Sequence, residues 1–213
     1  MIIAIDGPAA AGKGTLALRL ADHFGLALLD TGRLYRAVGV KLARLGLSAS
    51  DVEAAVALAH EVTAVDLDDR ELRSDAAANA ASRVAAMPEV RAALVEFQRT
   101  FAMNPPGGAK GAVLDGRDIG TVVCPDADIK LFVTARIEVR AERRVKELRE
   151  RGLKAIYDRV LHEMMERDAR DTERDVSPLV PAEDSLVIDT SDLDATAALD
   201  LAVKHVSSRK LSG

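Results

Sequence analysis

The chain of 213 residues has a single cysteine, Cys124, so it cannot form an internal disulfide. This fits a reducing compartment, where a lone thiol reads as a small buried hydrophobe rather than a nucleophile. No cysteines or histidines stand at the spacing of a zinc site. No apolar run approaches the ~20 residues of a membrane helix, and the first apolar stretch reaches Asp6 without the charged flank of a signal peptide. A cytoplasmic chain with no membrane partner is expected. An excess of positive charge is also missing. With 34 acids against 29 bases the net charge is −5, which disfavours a nucleic-acid partner held by general electrostatics. There is no internal repeat or low-complexity tract, and no heptad or exposed apolar stripe. The 48% hydrophobic content suits one compact α/β unit.

What the chain does have begins at its N-terminus. The apolar run Ile2-Ile3-Ala4-Ile5 leads into Gly7-Pro8-Ala9-Ala10-Ala11-Gly12-Lys13-Gly14-Thr15, and a helical pattern follows. Strand, glycine loop, lysine and helix together make a phosphate cradle. Glycines let backbone N–H groups curl around an anion, and the helix N-terminus faces it with partial positive charge. Lys13 adds a full charge near the β and γ phosphates. The common pattern puts Ser or Thr directly after the lysine; here Gly14 intervenes and Thr15 follows. Nucleotide binding alone does not name a reaction.

Further along, Leu16 to Phe24 reads as a helix closed by Gly25, and Leu26–Leu29 as a strand. Tyr35, Val38, Leu42 and Leu45 keep helical spacing up to Gly46. Ser50 with Glu53 predicts a capping box for a helix from Asp51 to about Glu61. Residues 62–75 read as a loop or small strand excursion, because Val62-Thr63-Ala64-Val65 is β-like and a charged stretch follows. A helix is expected over 76–86, another from Pro88, and a turn at Asn104 to Gly108. Ala112–Leu114 and Ile129–Val133 read as buried strands. Helices are expected over 136–151 and 156–173 with a break at Gly152, then a strand over 185–188 and a helix over 193–206, with 207–213 frayed.

Three polar clusters stand out. Arg167, Asp171 and Arg174 share one helix face at i, i+4 and i+7, with Arg170 beside them. Alone they would read as a solvated face of ion pairs; beside a phosphate loop, guanidiniums that spread the charge of a transferring phosphoryl group are the better reading. Arg140, Arg143 and Arg144 precede the Gly152 break, and helix, glycine hinge and helix is how a lid is built. A basic face balanced by Glu138, Glu142 and Glu147 is equally consistent. Asp115-Gly116-Arg117-Asp118 stands at a strand end, where Asp115 is placed to organise magnesium; the competing reading is a turn held by aspartate caps.

Together with Asp30-Thr31-Gly32-Arg33-Leu34-Tyr35-Arg36, Asn79-Ala80-Ala81-Ser82, Pro88-Glu89-Val90-Arg91, Asp115 to Val123 and Glu166 to Asp171, the loop at 7–15 closely resembles the bacterial cytidylate kinases over nearly the whole chain. The resemblance implies a three-layer P-loop kinase fold with a five-stranded parallel sheet. It implies a monomer of one domain over 1–213, with an acceptor-nucleotide region at 31–104 and a lid at 145–176. The implied reaction is in-line transfer of the γ-phosphoryl group of ATP to CMP or dCMP. ATP and Mg2+ are the implied cofactors, with no residue assigned as a direct metal ligand. Carried over, Gly7, Pro8, Ala9, Ala10, Ala11, Gly12, Lys13, Gly14 and Thr15 hold ATP, with Arg140 and Arg144. Lys13, Arg117, Arg167 and Arg174 are catalytic. Arg36, Arg117, Arg167 and Arg174 face the acceptor phosphate, Asp171 receives the ribose hydroxyls, and Thr31, Ser82, Arg91 and Asp118 read the base. Thr31 replaces the family's usual serine and keeps its hydroxyl. An acid at 118 suits the cytosine amino group, which uracil lacks.

Two departures follow. Residues 62–75 are too few for the longer β-rich insert of typical members, so that subdomain is expected to be reduced. Ala9-Ala10-Ala11 replaces a glycine-containing triplet, giving a stiffer loop. An adenylate kinase would carry a Gly-Phe-Pro-Arg type motif where Gly116-Arg117-Asp118 stands. A nucleotide-dependent regulatory switch would need an Asn-Lys-x-Asp motif, which is absent.

Overall fold

The computed structural model describes residues 1–210. Its centre is a five-stranded, wholly parallel sheet of order β2-β3-β1-β4-β5, with β1 Ile2–Asp6, β2 Ala27–Asp30, β3 Ala112–Asp115, β4 Ile129–Thr134 and β5 Leu186–Asp189. Side chains alternate between two buried faces, which explains the apolar run Ile2–Ile5 of β1. Ile3 and Ile5 enter a core with Leu16, Leu20 and Val206, whereas Ala4 faces the opposite core with Leu34, Val38 and Leu94. The first core lies under α1 (Lys13–Phe24) and α8 (Ala195–Lys210). The second lies under α2 (Gly32–Arg44), α3 (Val52–His60), α4 (Asp75–Val84) and α5 (Pro88–Met103). The carboxyl ends of β1 and β3 are neighbours, so the loops leaving them meet at one edge.

A third, smaller core holds α6 (Ile137–Glu150) against α7 (Tyr157–Glu173) through Ala141, Val145, Leu148, Val160 and Met164. Between them Gly152 takes a φ of +76°, a left-handed conformation that breaks the helix as expected.

Several local expectations need correction. The cap of α3 is Asp51, whose side chain accepts the Ala54 N–H at 3.1 Å, not Ser50. Residues 62–75 hold no strand but two short 3-10 turns, Ala64–Asp68 and Arg70–Arg73. Local carboxylates make the difference. Asp66 accepts from the backbone N–H of Thr63 at 2.8 Å and Asp69 from that of Glu71 at 2.9 Å, tightening each turn. Lys41 and Arg44 of α2 then pair with Asp66, Asp69 and Glu71. Val65, which looked like part of a strand, is 82% exposed. α8 starts where Asp194 caps the N–H groups of Thr196 and Ala197, and runs past Val206 so that 207–210 are helical; residues 211–213 lie outside the described residues. Cys124 is half-buried rather than buried.

Candidate active site

The phosphate loop is shaped by its backbone. Gly7 and Gly12 have φ of +144° and +95°, and a Cβ on Gly7 would lie 1.9 Å from the carbonyl oxygen of Val133. Ala10 has a φ of +57°, so an L-residue is held in the left-handed region where the resemblance expects glycine. The loop is tied from outside. Arg140 of α6, itself buried, donates to the carbonyl oxygens of Ala9 at 3.3 Å and Ala135 at 2.9 Å and to Asp168 of α7 at 2.6 Å. Thr190 Oγ1 donates to Ala11 O at 2.9 Å. Lys13 is buried, its Nζ donating to Pro8 O at 2.9 Å and lying 3.9 Å from Asp115. Burial and the nearby Arg117 hold its ammonium well below the usual lysine range, with Asp115 opposing.

Asp6, at the end of β1, joins this loop to the segment after β3. Its carboxylate accepts the backbone N–H groups of Ile119 at 2.8 Å and Gly120 at 2.7 Å. These open a single π turn, Ile119–Val123, that no periodicity in the sequence announces. Burial raises the Asp6 carboxyl to about 6, against the two hydrogen bonds, which favour the anion.

A cavity of about 400 Å³ starts at Gly12, Lys13, Gly14 and Thr15 and ends at a buried group formed by Ser82 of α4, Arg91 of α5 and Asp118. Arg91 and Asp118 are 4% exposed and form a close ion pair, and Arg91 also lies 5.5 Å over the Tyr35 ring. Between the ends stand Arg36, Arg117, Arg144, Arg167, Asp171 and Arg174. Arg117 Nε donates to Asp171 Oδ2 at 3.1 Å. Arg36 lies 3.4 Å from Asp30, and Thr31 Oγ1 donates to Asp115 O at 2.8 Å. Among the described residues, Arg91 Nε, Arg167 Nε and Arg174 Nη2 are buried without a hydrogen-bond partner. Burial and Arg117 pull the Arg167 guanidinium down to about 10, which leaves it charged at neutral pH. Seven cations (Lys13, Arg36, Arg91, Arg117, Arg144, Arg167, Arg174) thus face five carboxylates (Asp30, Asp115, Asp118, Glu147, Asp171). Buried donors left over after pairing are the signature of a site that takes an anion.

The family model for cytidylate kinase matches residues 3–208. The chain belongs to the cytidylate kinase family. It is 63% identical over 209 residues to the cytidylate kinase of Paramagnetospirillum magneticum, covering 98% of this chain and 99% of that one. It is 58% identical to that of Rhodospirillum rubrum, with 94% and 96% covered. Coverage this near to complete leaves no room for a long extra insert in the first relative. A crystal structure of an uncharacterized protein from Eubacterium ventriosum superimposes with a TM-score of 0.57 at 16% identity, over 98% of this chain and 99% of that chain, a likeness of fold.

Of the residues that the resemblance assigns, the structure gathers most around one cavity, and Arg174 arrives there by an unexpected route. It lies just beyond the end of α7 instead of on its face. The chain turns back at Ser177, whose φ is +55°, and Leu179 N–H donates to Asp171 O at 2.8 Å, which sends the Arg174 side chain inward to 4.0 Å from Asp118. Gly7, Pro8, Ala11 and Arg140 are not on the cavity wall. The guanidinium of Arg140 is spent on protein groups, and Arg144 pairs with Asp75 and Glu147. Sequence reasoning missed Asp6, the contact of Arg170 with Ser82, and a second cavity of about 280 Å³. That cavity shares Gly12 and Thr15 with the first and is walled by Arg143, Thr190, Leu193 and Ala198.

Proposed function

We propose that this protein transfers the γ-phosphoryl group of ATP to CMP or dCMP by direct in-line attack of the acceptor phosphate. The carrying observation is the single cavity that runs from the phosphate loop to the buried Ser82–Arg91–Asp118 group. In this reading a donor polyphosphate and an acceptor base take opposite ends, with cations between them. The second cavity, meeting the first at Gly12 and Thr15, takes the nucleoside part of ATP.

Lys13, Arg117, Arg167 and Arg174 act where charge grows on the transferring oxygens. Their buried, pre-positioned N–H groups need no reorganisation during the reaction. Arg36 holds the acceptor phosphate, and Asp171, with Oδ2 engaged by Arg117, offers its other oxygen to the ribose hydroxyls. Asp118 accepts from the cytosine 4-amino group. Uracil would place a carbonyl oxygen against that carboxylate, so the acid both attracts one base and repels the other.

The Thr15 hydroxyl and the Asp115 carboxylate line the loop end of the cavity, and they fit Mg2+. The ion takes oxygen ligands and is usually held by one or two protein groups plus phosphates and water. Bound there, it would neutralise charge on the β and γ phosphates.

Residues 31–104 and 145–176 serve as the acceptor-binding region and the lid. The separate small core of α6 and α7 and the left-handed Gly152 support the lid assignment. The protein works as a monomer in the cytoplasm, whose reducing conditions a lone half-buried thiol suits. The test is a coupled assay with ATP and CMP, dCMP, UMP or AMP. CMP and dCMP should be phosphorylated well ahead of UMP and AMP, and failure with all four would overturn the proposal.

A further inference from the structure

Ser82 lines the base end of the cavity and is 5% exposed. Its Oγ is met by Nε of Arg170, 3.3 Å away and 88 residues along the chain. Arginine carries only donors, so in this contact the hydroxyl oxygen accepts and its own hydrogen must point elsewhere. Among the described residues no protein acceptor takes that hydrogen. Arg170 itself is exposed and off the cavity wall, so its effect on the cavity passes through Ser82.

We propose that Arg170 is a positioning residue for base selection: by donating to Ser82 Oγ it makes that hydroxyl a donor toward the ring acceptors of cytosine. The inference rests on the reading above that Ser82 faces the base. Cytosine and uracil differ at N3 as well as at position 4. Cytosine N3 is an acceptor, whereas uracil N3 carries a hydrogen. A freely rotating serine hydroxyl serves both, donating to the first and accepting from the second. With a guanidinium N–H on one lone pair, the oxygen could accept from uracil only at its second, where the cationic N–H beside it makes it a poorer acceptor and the serine's own hydrogen is left without a partner. Donating to cytosine remains unhindered. Arg170 thereby adds discrimination at N3 to that of Asp118 at the amino group.

The contact exists only where α7 meets α4. The same junction carries the Arg144–Asp75 ion pair, and Arg151 donates to Arg73 O at 2.6 Å. The hydroxyl is therefore polarised in the arrangement with the helix pair seated on α4, and base selection is completed on closure.

The experiment compares wild type with Ser82→Ala, Arg170→Met, Arg170→Lys and the double variant Ser82→Ala/Arg170→Met. It measures kcat/KM for CMP and for UMP with ATP, and thermal melts check folding. Arg170→Met should lower the CMP-to-UMP ratio ~5–10-fold, the scale of one hydrogen bond, mainly through a higher KM for CMP. Arg170→Lys, which keeps a donor, should recover part of the ratio. In the double variant, adding Arg170→Met to Ser82→Ala should change the ratio no further, because the two residues act as a unit. A ratio within ~2-fold of wild type in Arg170→Met, or effects that multiply in the double variant, would overturn the inference. A folded wild type with no preference for CMP would instead overturn the functional reading, and this inference with it.

Discussion

The two ends of the cavity are built in opposite ways. In the proposed reading the donor end is made of consecutive residues whose backbone does the binding: two left-handed glycines, a strained alanine and the start of α1, with Lys13 as the one charged side chain within that segment. The acceptor end is made of side chains from α2, α4, α5, the segment after β3 and the tail of α7, and contributes almost no backbone. A phosphate is nearly the same from every side, so curled N–H groups suffice for it. A base edge has an order of donors and acceptors, and reading it takes side chains brought from several directions. Affinity for polyphosphate is thus local to a short segment, whereas selectivity depends on the whole fold.

The strongest way to break this division is Lys13→Ala. It removes the one charged side chain of the loop segment and should lower kcat ~10³-fold while thermal melting stays close to wild type. Unchanged turnover would mean that the backbone alone supplies the stabilisation. Next comes Asp118→Ala. The change strips the buried Arg91 of its partner, so urea unfolding should report a loss of about 3–5 kcal/mol. The CMP-to-UMP ratio should also fall, and a variant keeping the full ratio would move base reading elsewhere.

Asp6 tests the seam between the two ends. Its carboxyl is raised from 3.8 to about 6, so the native protein holds that proton more tightly than the unfolded chain. Its contribution to stability is therefore greatest below the unfolded value and declines as pH rises toward the folded one. Relative to Asp6→Asn, the wild type should lose about 2–3 kcal/mol between pH 4 and pH 6.5, read from urea melts at each pH. A flat difference would show that the two backbone N–H groups outweigh burial. The smallest effect is expected of Ala10→Gly. Relief of the left-handed strain and the added freedom of the unfolded chain oppose each other, leaving a net change within about 1 kcal/mol in a thermal melt. A larger gain would show that the alanine stores strain that the loop uses.

The same division decides what the sequence could reveal. The strands, the phosphate loop and the Gly152 break are contiguous signals, and each falls where the pattern puts it to within a residue or so. The acceptor end became readable only because several short motifs together resembled a known family; Ser82 alone is an ordinary helix serine. Contacts such as Arg140 to Ala9 and Asp6 to Ile119 join positions 131 and 113 residues apart, and nothing local marks them. The strand alternative for 62–75 fails for a different reason. Val62, Thr63 and Val65 favour a strand, but Asp66 and Asp69 reach their own backbone first, and short-range hydrogen bonds outweigh a weak β preference.

Arg140 would also set the mechanics of the proposed lid. Its guanidinium fastens the base of α6 to Ala9, Ala135 and Asp168 together, so in a lid motion α6 would behave as a lever pinned near its first turn. At 1.5 Å per residue, Arg144 lies ~6 Å and Arg151 ~16 Å along the arm from that pin. A tilt of ~15° would move Arg151 by ~4 Å, enough to break its contact with Arg73, but Arg144 by only ~1.5 Å. The helix pair would then release its grip on α4 from the tip inward, with the phosphate loop the last part to feel the motion.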